Sequence, residues 1–146
     1  MKFESVEQAV AALKQHQATM AAYSHAMGVL YLDATTAAPS DTWEGRGKTM
    51  EILSKVVYEL TTAEKNKELF DFLTENREQL DAQTQRELEV LKKGYDQMYK
   101  IPAEEYIAYS VLMNDAQNVW QKAKNEDDFA SFAPCLEKIV DFNRKF

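Results

Sequence analysis

At 146 residues, with 45% apolar and 28% charged side chains, the chain fits one domain with enough apolar material for a core, which excludes a disordered polymer. Its formal net charge of −7 repels phosphate backbones and anionic headgroups, so neither nucleic acid nor a membrane is expected as a partner. Cys135 stands alone, excluding an intrachain disulfide; the N-terminal "MKFESVEQ" is polar and no apolar run is long enough to cross a bilayer, so the cytoplasm is the expected compartment.

Ser5 and Gln8 form a capping-box pair, and behind them Val6, Ala9, Leu13, Met20, Tyr23, Met27 and Leu30 recur at helical spacing, predicting one long helix from about residue 6 to about 31. The stretch "LYLDATTAAPSDTWEGRG", residues 30 to 47, then interrupts the pattern. Pro39 removes a backbone donor, Ser40 and Asp41 offer oxygens for a cap, and Trp43, Met50, Leu53, Val57 and Leu60 restart the stripe as a second helix.

Thr61 or Thr62 is placed to cap a third, shorter helix carrying Leu69, Phe72 and Leu73, with "TENREQLD" as its polar, solvent-facing exit. From about Asp81, Leu88, Leu91, Tyr95 and Met98 mark a fourth helix that ends at Ile101, because Pro102 disfavours helical geometry in its predecessor and suits the first position of the next helix. In that fifth helix Tyr106, Tyr109, Met113, Ala116, Trp120 and Ala123 step by three and four along one apolar seam, best read as core packing, and "KNEDD" closes it. Asp128 then leads through "FASFAP" into a last helix with Pro134 near its start and Leu136, Ile139 and Val140 facing inward. The expectation is therefore an all-α bundle of about six amphipathic helices forming a single domain over 1–146, without repeats or strands.

Candidate chemistry is sparse. His16 and His25 are the only histidines, and nine residues at about 100° each put them on opposite sides of one helix, where they cannot share a metal ion. His16 falls on the apolar stripe as a core-edge residue, and His25 faces solvent. Neither has a Glu three residues before it, which excludes a di-iron bundle. Cys135 has no basic partner in "APCLEK" and reads as a half-buried small side chain. Glu104, Glu105, Asp127 and Asp128 sit at helix starts, where the macrodipole accounts for them, and no phosphate-cradling glycine loop exists. The residues thus supply no catalytic group and no metal ligand set of their own.

Asp33, Thr36, Pro39, Glu44 and Arg46 nevertheless stand in the order of a signature, W-D-x-x-T-x-M-P followed by E-A-R. "YEL" at Tyr58 to Leu60 is similar to H-E-L, "KIPAEEY" to K-V-P-A-E-L, and "NDAQNVWQKAKNEDDFASFAPCLEKIVDFNRK" tracks S-E-A-Q-x-x-W-x-x-A-R-x-x-x-D-F-x-x-F-x-P-x-L-E-x-I-V. Together these resemble the N-terminal region of the Taq-type thermostable metallocarboxypeptidases. Leu32, Ala38 and Tyr58 replace the usual Trp, Met and His.

The resemblance implies an N-terminal helical region that packs over catalytic helices, helps wall a peptide groove and is inactive alone. Members of the family release C-terminal amino acids with zinc or cobalt, held by two His and a further carboxylate, with the Glu of H-E-x-x-H as general base. That motif, H-P-F, D-x-R-x-T and G-x-x-Q-D-x-H-W are absent here, so the expected partner is the missing catalytic region of the same protein, with a peptide as the substrate of the whole. Asp33, Thr36 and Arg46 would either fix the 30–47 loop as a polar network or simply cap and terminate helices. An apolar surface left open would form homodimers or bind a hydrophobic dye. The alternative is a stand-alone helical interaction module without enzymatic activity.

Overall fold

The computed structural model describes residues 3–146, with the backbone alone at Ser40. Its elements are α1 (Val6–Thr36), α2 (Trp43–Thr62), α3 (Glu64–Glu75), α4 (Ala82–Met98), α5 (Ala103–Glu126) and α6 (Phe129–Lys145), with single 3-10 turns at Ser40–Thr42 and Arg77–Gln79. The fold is all-α, with no strand among the described residues. None of these helices is long and apolar enough to cross a membrane.

The helices cluster into two compact units. The first comprises Met1–Ala26 and Val57–Lys100, the second Met27–Val56 and Ile101–Phe146, so α1 and α2 each contribute to both. In the first unit, the Ser5 hydroxyl accepts from the Gln8 N–H at 3.2 Å and the Gln8 side chain accepts from the Glu4 N–H at 2.9 Å, which starts α1 much as a capping box would. Ala9 and Leu13 of α1 then enter a closed core with Leu69, Phe70 and Leu73 of α3 and Leu88 and Tyr95 of α4. Outside that core Lys14 pairs with Glu87, and Asp71 takes both Lys67 at 2.8 Å and Lys92 at 3.2 Å. The Asp81 carboxylate caps α4 by accepting the Thr84 N–H at 2.8 Å, a bond that holds its pKa below the ordinary value.

His16 is half-buried with its ring edge-on to Phe70, centroids 6.2 Å apart, and burial, then the nearby Lys65 charge, lowers its pKa from 6.5. The unfolded chain therefore binds the proton more readily than the folded one. Stability of the first unit should fall as pH drops below 6.5 toward the depressed folded value, and His16→Gln should flatten that part of a Tm–pH curve measured between pH 8 and 5.5. An unchanged slope in the variant would remove His16 as the titrating group.

The second unit is built differently. α5 and α6 form an antiparallel hairpin in which Tyr109 stacks on Phe142 at 4.0 Å and Lys145 bonds Glu105 at 2.6 Å. Asp127, at φ 57°, ends α5 in the left-handed region while the Asp128 N–H bonds the Ala123 carbonyl at 2.8 Å. Ala116 and Ala123 are its only fully buried apolar side chains among the described residues. No large side chain closes a core there.

Several boundaries depart from the sequence reading. Thr61 and Thr62 do not cap α3; they lie in α2 and donate to the Val57 and Tyr58 carbonyls, each at 2.8 Å, because a helical Thr reaches back four residues. The α3 cap position is Ala63. α4 stops at Met98, short of Ile101, and Pro102 stands just before α5 rather than inside it, since its ψ of 141° is extended. α6 begins at Phe129, not near Pro134: the Asp128 carboxylate accepts the Ser131 N–H at 3.3 Å and starts the helix upstream, leaving Pro134 within it at the loss of one bond. Leu136 is 37% exposed rather than inward.

Candidate functional site

The interruption between α1 and α2 is narrower than the composition of residues 30–47 suggests. α1 continues to Thr36 because nothing before that point breaks it: the Thr35 and Thr36 hydroxyls bond back to Tyr31 at 3.1 Å and Leu32 at 2.6 Å, and the Asp33 carbonyl takes the Ala37 and Ala38 N–H groups. Pro39 then halts the helix, since it has no N–H to give and its predecessor avoids helical geometry. The Pro39 carbonyl accepts both the N–H and the hydroxyl of Thr42, at 3.1 and 2.7 Å, and the chain enters α2 at Trp43. Asp41 makes no side-chain cap here, and the Ser40 side chain lies outside the described residues.

Two adjoining depressions open within the second unit. The larger, about 670 Å³, brings together three of the signature residues, Thr36, Pro39 and Arg46, with Trp43 and the α5 side chains Asn118 and Lys122. Asp33 is exposed and lines neither depression, and Glu44 faces a separate hollow beside Lys48 and Asp115. No hydrogen bond joins Asp33, Thr36 and Arg46 directly among the described residues; the Thr36 hydroxyl is committed to Leu32.

The second depression, about 440 Å³, shares Ala34, Thr35, Arg46, Asn118 and Gln121 with the first and runs on over apolar ground, including Met27, Leu30 and Met50. Arg46 is half-buried at the junction and, among the described residues, is the only ionised side chain lining this second depression. Its guanidinium makes no hydrogen bond or ion pair among the described residues. Opposite it, α5 presents Asn114, Gln117, Asn118 and Gln121, spaced three, one and three, as a row of neutral amides. At this face α2 and α5 approach closely, since a Cβ on Gly47 would lie 3.0 Å from the Asn114 amide nitrogen.

The amide row escaped the sequence reading because polar residues beside an apolar seam look like a solvated face; their shared helical phase was the available signal. The seam itself is less covered than core packing requires. Ala116 and Ala123 are buried, yet Met113 is 44% and Trp120 40% exposed. Tyr106 is half-buried and burial pushes its phenol pKa up.

Among the described residues no three His, Cys, Asp or Glu side chains converge on one point, and half-buried His16 and exposed His25 lie on opposite sides of α1. Cys135 is half-buried.

Compared with known proteins, residues 12–146 match the family described as Carboxypeptidase Taq (M32) metallopeptidase. The chain belongs to this family. It is 36% identical over 124 residues to Carboxypeptidase 1 of Bacillus subtilis (strain 168), a match covering 85% of this chain and 25% of that protein. The crystal structure of BsuCP is similar with a TM-score of 0.88 at 31% identity, and the structure of CHT with 0.70 at 32%; each likeness covers 94% of this chain and 28% of the other. The M32 chain described here thus spans about a quarter of the length of these relatives.

Proposed function

We propose that this chain is the N-terminal helical region of a metal-dependent carboxypeptidase that releases C-terminal amino acids from peptides, a region that packs over the catalytic helices and walls the peptide groove. By itself it is inactive. The observation that carries the reading is the 36% identity over 124 residues with a carboxypeptidase of which those residues make up only 25%. The donor set supports it: the two histidines are diametrically placed on α1 and no third ligand joins either among the described residues.

In the intact protein zinc or cobalt is held by side chains outside these 146 residues, and the setting is the cytoplasm. Asp33, Thr36, Pro39, Glu44 and Arg46 shape the turn between α1 and α2, Thr36 and Pro39 as its helix stop and Arg46 as the charge it carries to the junction of the two depressions. Mixing the purified chain with zinc or cobalt and a peptide bearing a free C-terminus should release no amino acid above a no-protein blank. Metal-dependent turnover by the chain alone would overturn the inactivity.

A further inference from the structure

Most of the exposed large apolar side chains lie in the second unit: of thirteen among the described residues, only Val90 and Tyr99 belong to the first. Tyr31 is 57%, Leu32 61% and Phe129 66% exposed in a unit whose fully buried apolar residues are two alanines. Tyr31 and Met113 of this exposed set line the apolar depression, where exposed apolar side chains gathered in one groove mark an interaction surface. Three quarters of the length of Carboxypeptidase 1 lies outside the 25% that this chain matches, so the largest body available to cover the face is the remainder of such a peptidase.

Arg46 narrows what that body must carry. A half-buried guanidinium among Met27, Leu30 and Met50 is tolerable while water reaches it, but an apolar segment filling the depression would strip that water away. A cation desolvated without a partner is strongly destabilising, because its lost hydration is not replaced by an opposite charge. No carboxylate of this chain bonds Arg46 among the described residues, and none lines the apolar depression. A second copy would bring an identical Arg46 to the apolar depression, with the acids Asp115 and Glu126 only in the adjoining polar one. We infer that the α1–α2–α5 groove of the second unit is the seat of a segment from the peptidase remainder that is apolar except for one Asp or Glu, whose carboxylate pairs with Arg46. The inference rests on the reading of this chain as one region of a larger carboxypeptidase.

The test uses a full-length chain. This sequence replaces the matched quarter of Bacillus subtilis Carboxypeptidase 1, and Arg46→Met and Arg46→Lys are made both there and in the isolated 146 residues. In the isolated chain Arg46→Met should leave helicity and Tm unchanged within about a degree, because the Arg46 side chain bonds nothing among the described residues. In the chimera Arg46→Met should lower Tm by several degrees, Arg46→Lys should recover part of the loss, and a hydrophobic dye bound by the isolated chain should be excluded. A folded, active chimera indifferent to Arg46→Met would overturn the seat and leave the parent reading standing. Equal losses in both contexts would make Arg46 a residue internal to this chain and also overturn it. A chimera that neither folds nor cleaves peptide overturns the parent reading, and loss of dye binding on dimerisation of the isolated chain would replace the proposed occupant with a second copy.

Discussion

Phe70→Ala lowers the unfolding free energy of the first unit by about 3–5 kcal/mol, the range for removing a buried aromatic side chain from a packed core. Phe70 is 1% exposed, at the meeting point of three helices: its ring is edge-on to Tyr95 of α4, centroids 5.7 Å apart, and to His16 of α1 at 6.2 Å. Truncation removes the transfer free energy of the ring and both edge contacts, and α3, pinned on either side by Leu69 and Leu73, has little freedom to collapse into the space. Since domains of this size are stable by about 5–15 kcal/mol, one substitution should take most of the margin. Urea unfolding followed by circular dichroism measures it. A loss below about 1 kcal/mol would mean that the core described for this unit is not what holds it.

That the decisive ring is Phe70 and not Phe72 marks the limit of a periodicity argument. At about 100° per residue, the two rings lie about 80° to either side of the line bisecting Leu69 and Leu73, so the helical period gives them equal claim to the core. The tie is broken by neighbours far away in sequence: Tyr95 and His16 close over Phe70, while Phe72 packs at the margin against Phe3. The same physics separates what was legible from what was not elsewhere. All six helices follow from apolar spacing, and Asp81 and Asp128 cap as their positions suggest. α1 runs on to Thr36 because Thr35 and Thr36, whose hydroxyls turn back to the Tyr31 and Leu32 carbonyls, do not break a helix as Pro39 does.

The candidate site was half legible. Thr36, Pro39 and Arg46 line one depression while Asp33 and Glu44 do not, and Met113 and Trp120 sit on an apolar seam at helical spacing and still meet solvent. A helix reports which of its faces is apolar but not whether a partner in the same chain covers that face. The exposed seam, and an Arg46 without a partner among the described residues, therefore depend on the tertiary arrangement and not on helical spacing.

A second large effect is expected at Asn66, a residue that sequence reasoning passed over in favour of the threonines before it. Asn66 is 2% exposed and its side-chain amide donates to the Leu60 carbonyl at 2.6 Å and the Thr61 carbonyl at 2.9 Å, so the first turn of α3 closes the last turn of α2. Helix C-terminal carbonyls have no partner within their own helix, and a side chain from the next element is one of the few ways to satisfy them away from water. Asn66→Ala should cost about 2–3 kcal/mol, two hydrogen bonds at about 1 kcal/mol each plus the carbonyls left bare. Asn66→Asp distinguishes this account from simple loss of volume. An ionised Asp has the shape of Asn but no proton to give, and it would aim a carboxylate at two carbonyl oxygens in a desolvated pocket, so at pH 7 it should be at least as damaging as alanine. Burial and the facing carbonyls raise the folded pKa of such an Asp above its unfolded value, so stability should recover as pH falls through that raised value and the carboxyl regains a donor. If Asn66→Asp unfolds like wild type at pH 7, or shows no recovery on acidification, the α2–α3 junction is held by something other than this amide.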